Sequence, residues 1–175
     1  LSKEDSHAVA RMLHSIGDIE RMGDHALNMV KVAKELNDKQ INFSHEAREE
    51  IKVIAAAIKE IVTITFDAFA NEDVEKAKTV EPLEQVIDSL VLQIKAKHTV
   101  RLREGNCSIE LGFILSDMLT NFERISDHCS NIAISIIETK ENAFGSHEYL
   151  SRMKSASNVS FTRKFNEYSR KYVIK

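Results

Sequence analysis

Apolar side chains recur every three or four positions along most of the chain, the spacing of a helix with one buried face. In the first stretch Met12, Ile16, Ile19, Gly23, Ala26, Val30 and Ala33 form such a seam, which predicts a helix from about Lys3 to Leu36 ended by Asn37 and Asp38. Gly23 weakens a helix interior by about 1 kcal/mol relative to Ala, so a close approach by a neighbouring backbone or a bound ion is expected there. A second helix opens at a Ser44 cap with Glu46 in its first turn and runs through Ile51, Ile54, Ile58, Ile61, Val62 and Phe69. Its flanking Glu49, Glu50, Lys52, Lys59 and Glu60 read as an exposed face, and the helix reads as scaffold. A third, capped by Asn71, reaches about Arg103 and stops at Gly105, with Leu83, Ile87, Leu90 and Ile94 as its seam. Pro82 either kinks it or opens its second segment in the first turn. A fourth opens at Ser108 with Leu115, Leu119, Phe122, Ser126, Cys129, Ala133 and Ile136. After a loop from Asn142 to Ser146, a fifth is expected to about Tyr172, burying Tyr149, Leu150, Met153, Phe161, Phe165, Tyr168 and Tyr172, with a weak centre at Ser155 to Ser160. The pattern predicts an all-α protein, an antiparallel bundle of about five long helices.

One polar pattern occurs twice. Glu20-Arg21-Met22-Gly23-Asp24-His25-Ala26-Leu27-Asn28 and Glu123-Arg124-Ile125-Ser126-Asp127-His128-Cys129-Ser130-Asn131 share Glu, Arg, Asp, His and Asn at an offset of 103 residues, and the two apolar seams are related by the same shift. Residues four apart stack on one helical face. Glu20, Asp24 and Asn28 therefore form one oxygen-bearing row, and Glu123, Asp127 and Asn131 a second. Two carboxylates one turn apart suit a hard or borderline cation. Arg21 and Arg124 pairing with nearby acids would give the same repeat a purely structural meaning. Glu84 and Asp88 make a third pair with this spacing, and spacing alone favours a solvated face for it. His25 and His128 follow the Asp by one residue, about 100° around the helix, which suits capping, pairing or orienting better than a place in the row.

The E-R-[IM]-[GS]-D-H-x-x-N pattern, twice at this separation in an all-helical chain, resembles the PhoU family of phosphate-regulatory proteins. The tail from Tyr149-Leu150 to Phe165-Asn166-Glu167-Tyr168-Ser169-Arg170-Lys171-Tyr172 is similar to the end of the PhoU-like cytoplasmic domain of bacterial sodium/phosphate cotransporters. The resemblance implies a repeated three-helix bundle with the first repeat incomplete, residues 1–70 being the partial repeat and 71–175 the second. It also implies that Glu84 and Asp88 join Glu123 and Asp127 in one site. Glu20 and Asp24 belong to another whose partner helix would precede the first helix, and Asn28, Asn131, His25 and His128 support the ligands. Such carboxylate-rich sets, with few His and no thiolate cluster, favour Fe, Zn, Mn or Mg, singly or as a multinuclear centre. The implied role is a cytosolic regulatory domain at the cytoplasmic face of the membrane. Its partners would be the transporter portion of the same polypeptide, phosphate, and a second copy in a homodimer. A free-standing PhoU-type regulator of phosphate uptake and signalling is the alternative, and a di-metal carboxylate oxidase a further one. The oxidase needs E-x-x-H on two helices, whereas the chain offers only Glu4 to His7, so no catalytic residue is assigned and no enzymatic activity expected.

Composition narrows this little further. The 175 residues carry 24 basic and 27 acidic side chains, a net charge of −3, which offers no field for nucleic acid. Arg163, Lys164, Arg170, Lys171 and Lys175 read as a solvated basic face, with membrane headgroups as a minor alternative. Cys107 and Cys129 have no metal or redox spacing and read as small buried hydrophobes in a reducing compartment. No apolar run approaches a membrane span. The start at Leu1 has the look of an excised domain.

Overall fold

The computed structural model describes residues 3–141 and 159–174. Among the described residues six helices follow in order: α1 (Lys3–Lys39), α2 (His45–Asn71), the single turn α3 (Val74–Ala77), α4 (Val80–Arg103), α5 (Ile109–Glu141) and α6 (Val159–Lys171). The all-α bundle expected from periodicity is what forms, with no strand among the described residues. The proposed start of the last helix at Ser146, with Tyr149, Leu150 and Met153, lies outside the described residues, as do the side chains of Glu4 and His7.

Short polar side chains set the helix boundaries. Ser44 Oγ accepts from the Ala47 N–H at 3.2 Å and Ser108 Oγ from the Leu111 N–H at 3.2 Å, each satisfying an amide with no partner inside its helix. Asn71 does not cap the next helix; it closes α2, its amide donating to the Asp67 carbonyl. The chain then turns through Glu72 in the left-handed region (φ +51°), and Asp73 caps α3 by accepting from the Lys76 N–H at 3.0 Å. Pro82 sits in the first turn of α4, where its missing N–H costs no helical bond. Gly105, at φ +73°, lets the chain leave α4.

α5 is the central helix: α1, α2 and α4 all pack on it, and α6 packs on α4. Ile54 and Ile61 of α2, Leu83, Ile87, Leu90 and Ile94 of α4, and Leu115, Leu119, Ile132 and Ile137 of α5 are fully buried and form the core. Each stabilises the fold by roughly 1.5–3 kcal/mol through removal from water. The α5 seam expected from the sequence, Leu115 through Ile136, is buried throughout.

The equivalent seam on α1 is not. Met12, Ile16 and Val30 are more than half exposed, and Gly23, Ala26 and Ala33 face solvent. α1 instead turns Ser15, Met22 and Val32 inward against α5, with Ile19, Met29 and Leu36 partly buried. Nothing lies within 4 Å of a Cβ built on Gly23, so the close approach expected there is absent. Glu50, expected on the solvated face of α2, is buried and accepts two charge-assisted bonds from Arg101 of α4 at 2.7 and 2.8 Å. α6 is fastened at its end: the Tyr172 hydroxyl bonds to Glu60 of α2, and Lys171 Nζ reaches the same carboxylate at 2.8 Å.

Candidate cation site on the acidic rows

Two contacts fix how α4 and α5 face each other. Ser130 Oγ of α5 donates to the Glu81 carboxylate of α4, and Lys95 Nζ of α4 lies 3.8 Å from Glu123 Oε2 of α5. The helices are therefore antiparallel. Glu81, Glu84, Asp88 and Lys95 fall within about 60° of one another around α4, and Glu123, Asp127 and Ser130 likewise around α5. Glu84 and Asp88 consequently occupy the strip of α4 between the two contacts, and Asp127 the matching strip of α5.

The local electrostatics are those of acids partly withdrawn from water. Glu84 and Glu81 are buried, while Asp88, Glu123 and Asp127 are half-buried. Burial holds the Asp127 carboxyl above the ordinary carboxylate range, Arg124 opposes the shift, and Glu123 adds to it. Lys95 stands by Glu123, and Arg124 Nη1 is 3.3 Å from Asp127 Oδ2. Ser126 Oγ, between Glu123 and Asp127 in sequence, is fully buried without a hydrogen-bond partner. The donor set suits a hard or borderline metal. Glu123 lies beside Lys95 and Asp127 beside Arg124, and among the described residues no three His, Cys, Asp or Glu side chains gather closely enough to hold a metal ion.

The first-repeat acids lie elsewhere. Glu20 and Asp24 are exposed on the outer side of α1, so Glu20 does not share the half-buried setting of Glu123 despite the repeat.

The His and Asn residues of the two motifs join the repeats to each other. His128 Nδ1–H donates to Asp18 Oδ1 at 2.8 Å, and His25 Nδ1–H to Asn121 Oδ1 at 2.9 Å. Asn131 and Asn28 add longer amide bonds to the same two oxygens, 3.4 Å each. The imidazole rings stack with centroids 5.7 Å apart. Asp18 and Asn121 are themselves 103 residues apart, so every contact is made twice with the helices exchanged, the signature of an approximate two-fold axis. This polar joint pairs the histidines, as their angular offset implied. Asp18 and Asn121 were missed by the sequence reading, although extending the repeat two residues upstream would have paired them.

A second feature without a sequence signal lies where α4 meets α5. Cys107 Sγ is 3.6 Å from His98 Nδ1, and burial, with Arg101 nearby, pulls the His98 imidazole below its ordinary pKa. Cys129 is the buried hydrophobe expected: burial pushes its thiol up to about 12.

Comparison with known proteins bears on this geometry. The PhoU domain family model matches residues 51–136, from α2 through most of α5. A relative in Thermotoga maritima, "Phosphate-specific transport system accessory protein PhoU homolog 1", is 30% identical over 151 residues, 85% of this chain and 63% of that protein. PhoU homologues in Deinococcus radiodurans and Pseudomonas aeruginosa, named as accessory proteins in the same words, are each 26% identical over 74% and 86% of this chain, and 59% and 61% of their own lengths. The chain thus spans about three fifths of the curated relatives it matches. Their names describe accessory proteins, and none of these three is named as a cotransporter, so the expected cotransporter domain finds no support in them. No solved structure matches. No described helix is long and apolar enough to cross a membrane. With its twice-used acidic motif and the family match across the bundle that carries the second copy, the chain belongs to the PhoU domain family.

Proposed function

We propose that the chain is the greater part of a PhoU-type regulator of phosphate transport, an accessory protein that acts by binding and not by catalysis. The observation that carries this reading is the family match over α2–α5, shared with relatives named as accessory proteins of phosphate-specific transport. The partner it implies is a phosphate transport system. Nothing in the arrangement of the motif residues favours an oxidase: both motif histidines spend Nδ1 on the joint between repeats.

The acidic rows are the surface on which regulation would act. Glu84, Asp88, Glu123 and Asp127 would hold a divalent or trivalent metal ion, whose bound charge would supply a place for an anion such as phosphate. The protein's own contribution is to keep these acids half out of water on rigid helices, so that a cation is held more strongly than on a solvated surface. Arg124 and Lys95 balance the carboxylates meanwhile.

The function is tested by phosphate uptake in cells lacking the gene, complemented with wild-type protein or with Glu123→Ala/Asp127→Ala. The reading expects loss of the gene to change the uptake rate, wild type to restore it, and the variant to fail although it is expressed and folded. Uptake indifferent to the gene would contradict it.

A further inference from the structure

The polar contact between α4 and α5 starts at a buried pair: Ser130 Oγ donates to the Glu81 carboxylate, and the two residues are 8 and 4% exposed. Because the helices are antiparallel, one turn further along the contact α5 steps back to Ser126 while α4 steps forward to Glu84. Ser126 lies about 40° around α5 from Ser130, and Glu84 about 60° around α4 from Glu81. Both are withdrawn from water, Ser126 at 0% and Glu84 at 8% exposure. On one side of Ser126, Cys129 bonds Thr65 of α2; on the other, Ser130 and Glu123 meet α4. The Ser126 hydroxyl is therefore directed between α2 and the inner edge of the α4 row, where Glu84 stands.

In that place Ser126 Oγ has no hydrogen-bond partner. A hydroxyl taken out of water without a partner costs stability, and such a group in a packed core needs a physical reason. Packing supplies none, since Ala would fill nearly the same space with no polar atom. Nor does the repeat require it: Gly23 stands at the position equivalent to Ser126, and Leu27 at that of Ser130. Of the two repeats, the second carries both hydroxyls, and it carries them on the side that meets the carboxylates of α4.

We propose that Ser126 is a positioning residue of the acidic site, its hydroxyl donating to Glu84 when that carboxylate serves a cation, as Ser130 donates to Glu81. The inference rests on the cation reading of the rows and names a residue that makes the binding stronger. Carboxylates that hold a metal are themselves held by hydrogen bonds, and losing such a partner weakens binding by about 10–100-fold. A hydroxyl used in this way costs the fold stability when no cation is bound and strengthens the hold on one that is. The first-repeat row, with Gly23 and Leu27, has neither hydroxyl.

The test compares the full chain as wild type and as Ser126→Ala, by urea unfolding in chelator and in excess Mn2+, with the Mn2+ affinity taken from calorimetry. The substitution removes a single oxygen from a buried site, so the variant folds. The proposal expects Ser126→Ala to bind Mn2+ at least tenfold more weakly. It also expects the variant's urea midpoint to lie about 0.5 M above wild type in chelator and to lose that advantage in excess Mn2+. A hydroxyl with a merely structural role would shift the midpoint alike in both conditions. In a Glu84→Gln background the same substitution should keep its advantage with and without Mn2+. Equal Mn2+ affinity in wild type and Ser126→Ala would overturn the proposal, as would an advantage that Mn2+ still removes once Glu84 is Gln. A wild-type midpoint that Mn2+ leaves unmoved would overturn the cation reading itself, and the proposal with it.

Discussion

The Glu50–Arg101 pair makes the most quantitative prediction. Its side chains are 4 and 12% exposed, and the guanidinium donates to both carboxylate oxygens at 2.7 and 2.8 Å, clamping α2 to α4. Lys97 stands 3.8 Å from the same carboxylate. Replacing both partners with apolar residues removes two desolvation costs along with the attraction, so Glu50→Leu/Arg101→Met should lie within about 1 kcal/mol of wild type. Removing one partner strands the other. Glu50→Ala leaves a largely buried guanidinium whose Nε already lacks a partner, and should cost about 3 kcal/mol. Arg101→Ala should cost less, about 2 kcal/mol, because Lys97 can still answer Glu50. With a urea slope of about 2 kcal/mol/M, the Glu50→Ala midpoint falls by roughly 1.5 M. Equilibrium urea unfolding of the four proteins measures this directly. A Glu50→Ala loss under 1 kcal/mol, or a double variant as unstable as the worse single, would refute the reasoning.

Three further outcomes are expected. A Cβ at Gly112 would meet His98 Nε2 at 2.7 Å, whereas one at Gly17 meets nothing within 4 Å; Gly112→Ala should therefore cost about 1–3 kcal/mol, relieved by His98→Ala, and Gly17→Ala should stabilise by about 0.5–1 kcal/mol, both read from unfolding curves. Cys129 is buried with its thiol pushed up to about 12, so a disulfide reagent at pH 8 should titrate one thiol, Cys107, in the native chain and two after unfolding. Asp127 has its native carboxyl raised by burial; the native state then binds more protons than the unfolded state, and stability falls as pH climbs from the unfolded value of 3.8 through the raised one. Asp127→Asn should abolish that fall and be more stable than wild type at neutral pH without metal, which chemical unfolding across pH 3 to 8 checks.

How much of this was written in the chain depends on what each residue's environment is made of. The first four long helices, the Ser44 and Ser108 caps, the first-turn place of Pro82 and the exit at Gly105 all follow from local periodicity and backbone chemistry, and all form, as does the described part of the fifth helix, Val159–Lys171. The α5 seam is legible for the same reason. α1 misleads because periodicity reports that a face is apolar and not which neighbour covers it; here α5 takes the Met22 and Val32 side. Glu50 looked solvated among charged neighbours, since its partner Arg101 lies 51 residues away on another helix. Asn71 was a plausible cap one turn too early, as the chain has room for the α3 turn before Pro82. In the site, the acidic rows were visible as a motif. The roles of Asp18, Asn121 and Lys95 were not, because they arise only when two helices pack in a particular register.

The account rests on the rows of α4 and α5 serving one cation, and elemental analysis of protein purified without chelator tests that most directly. Wild type should retain a stoichiometric first-row transition metal or magnesium. The Glu123→Ala/Asp127→Ala variant, folded by circular dichroism, should lose it. Equal metal in both proteins, or none in either after dialysis against each candidate ion, would contradict the claim.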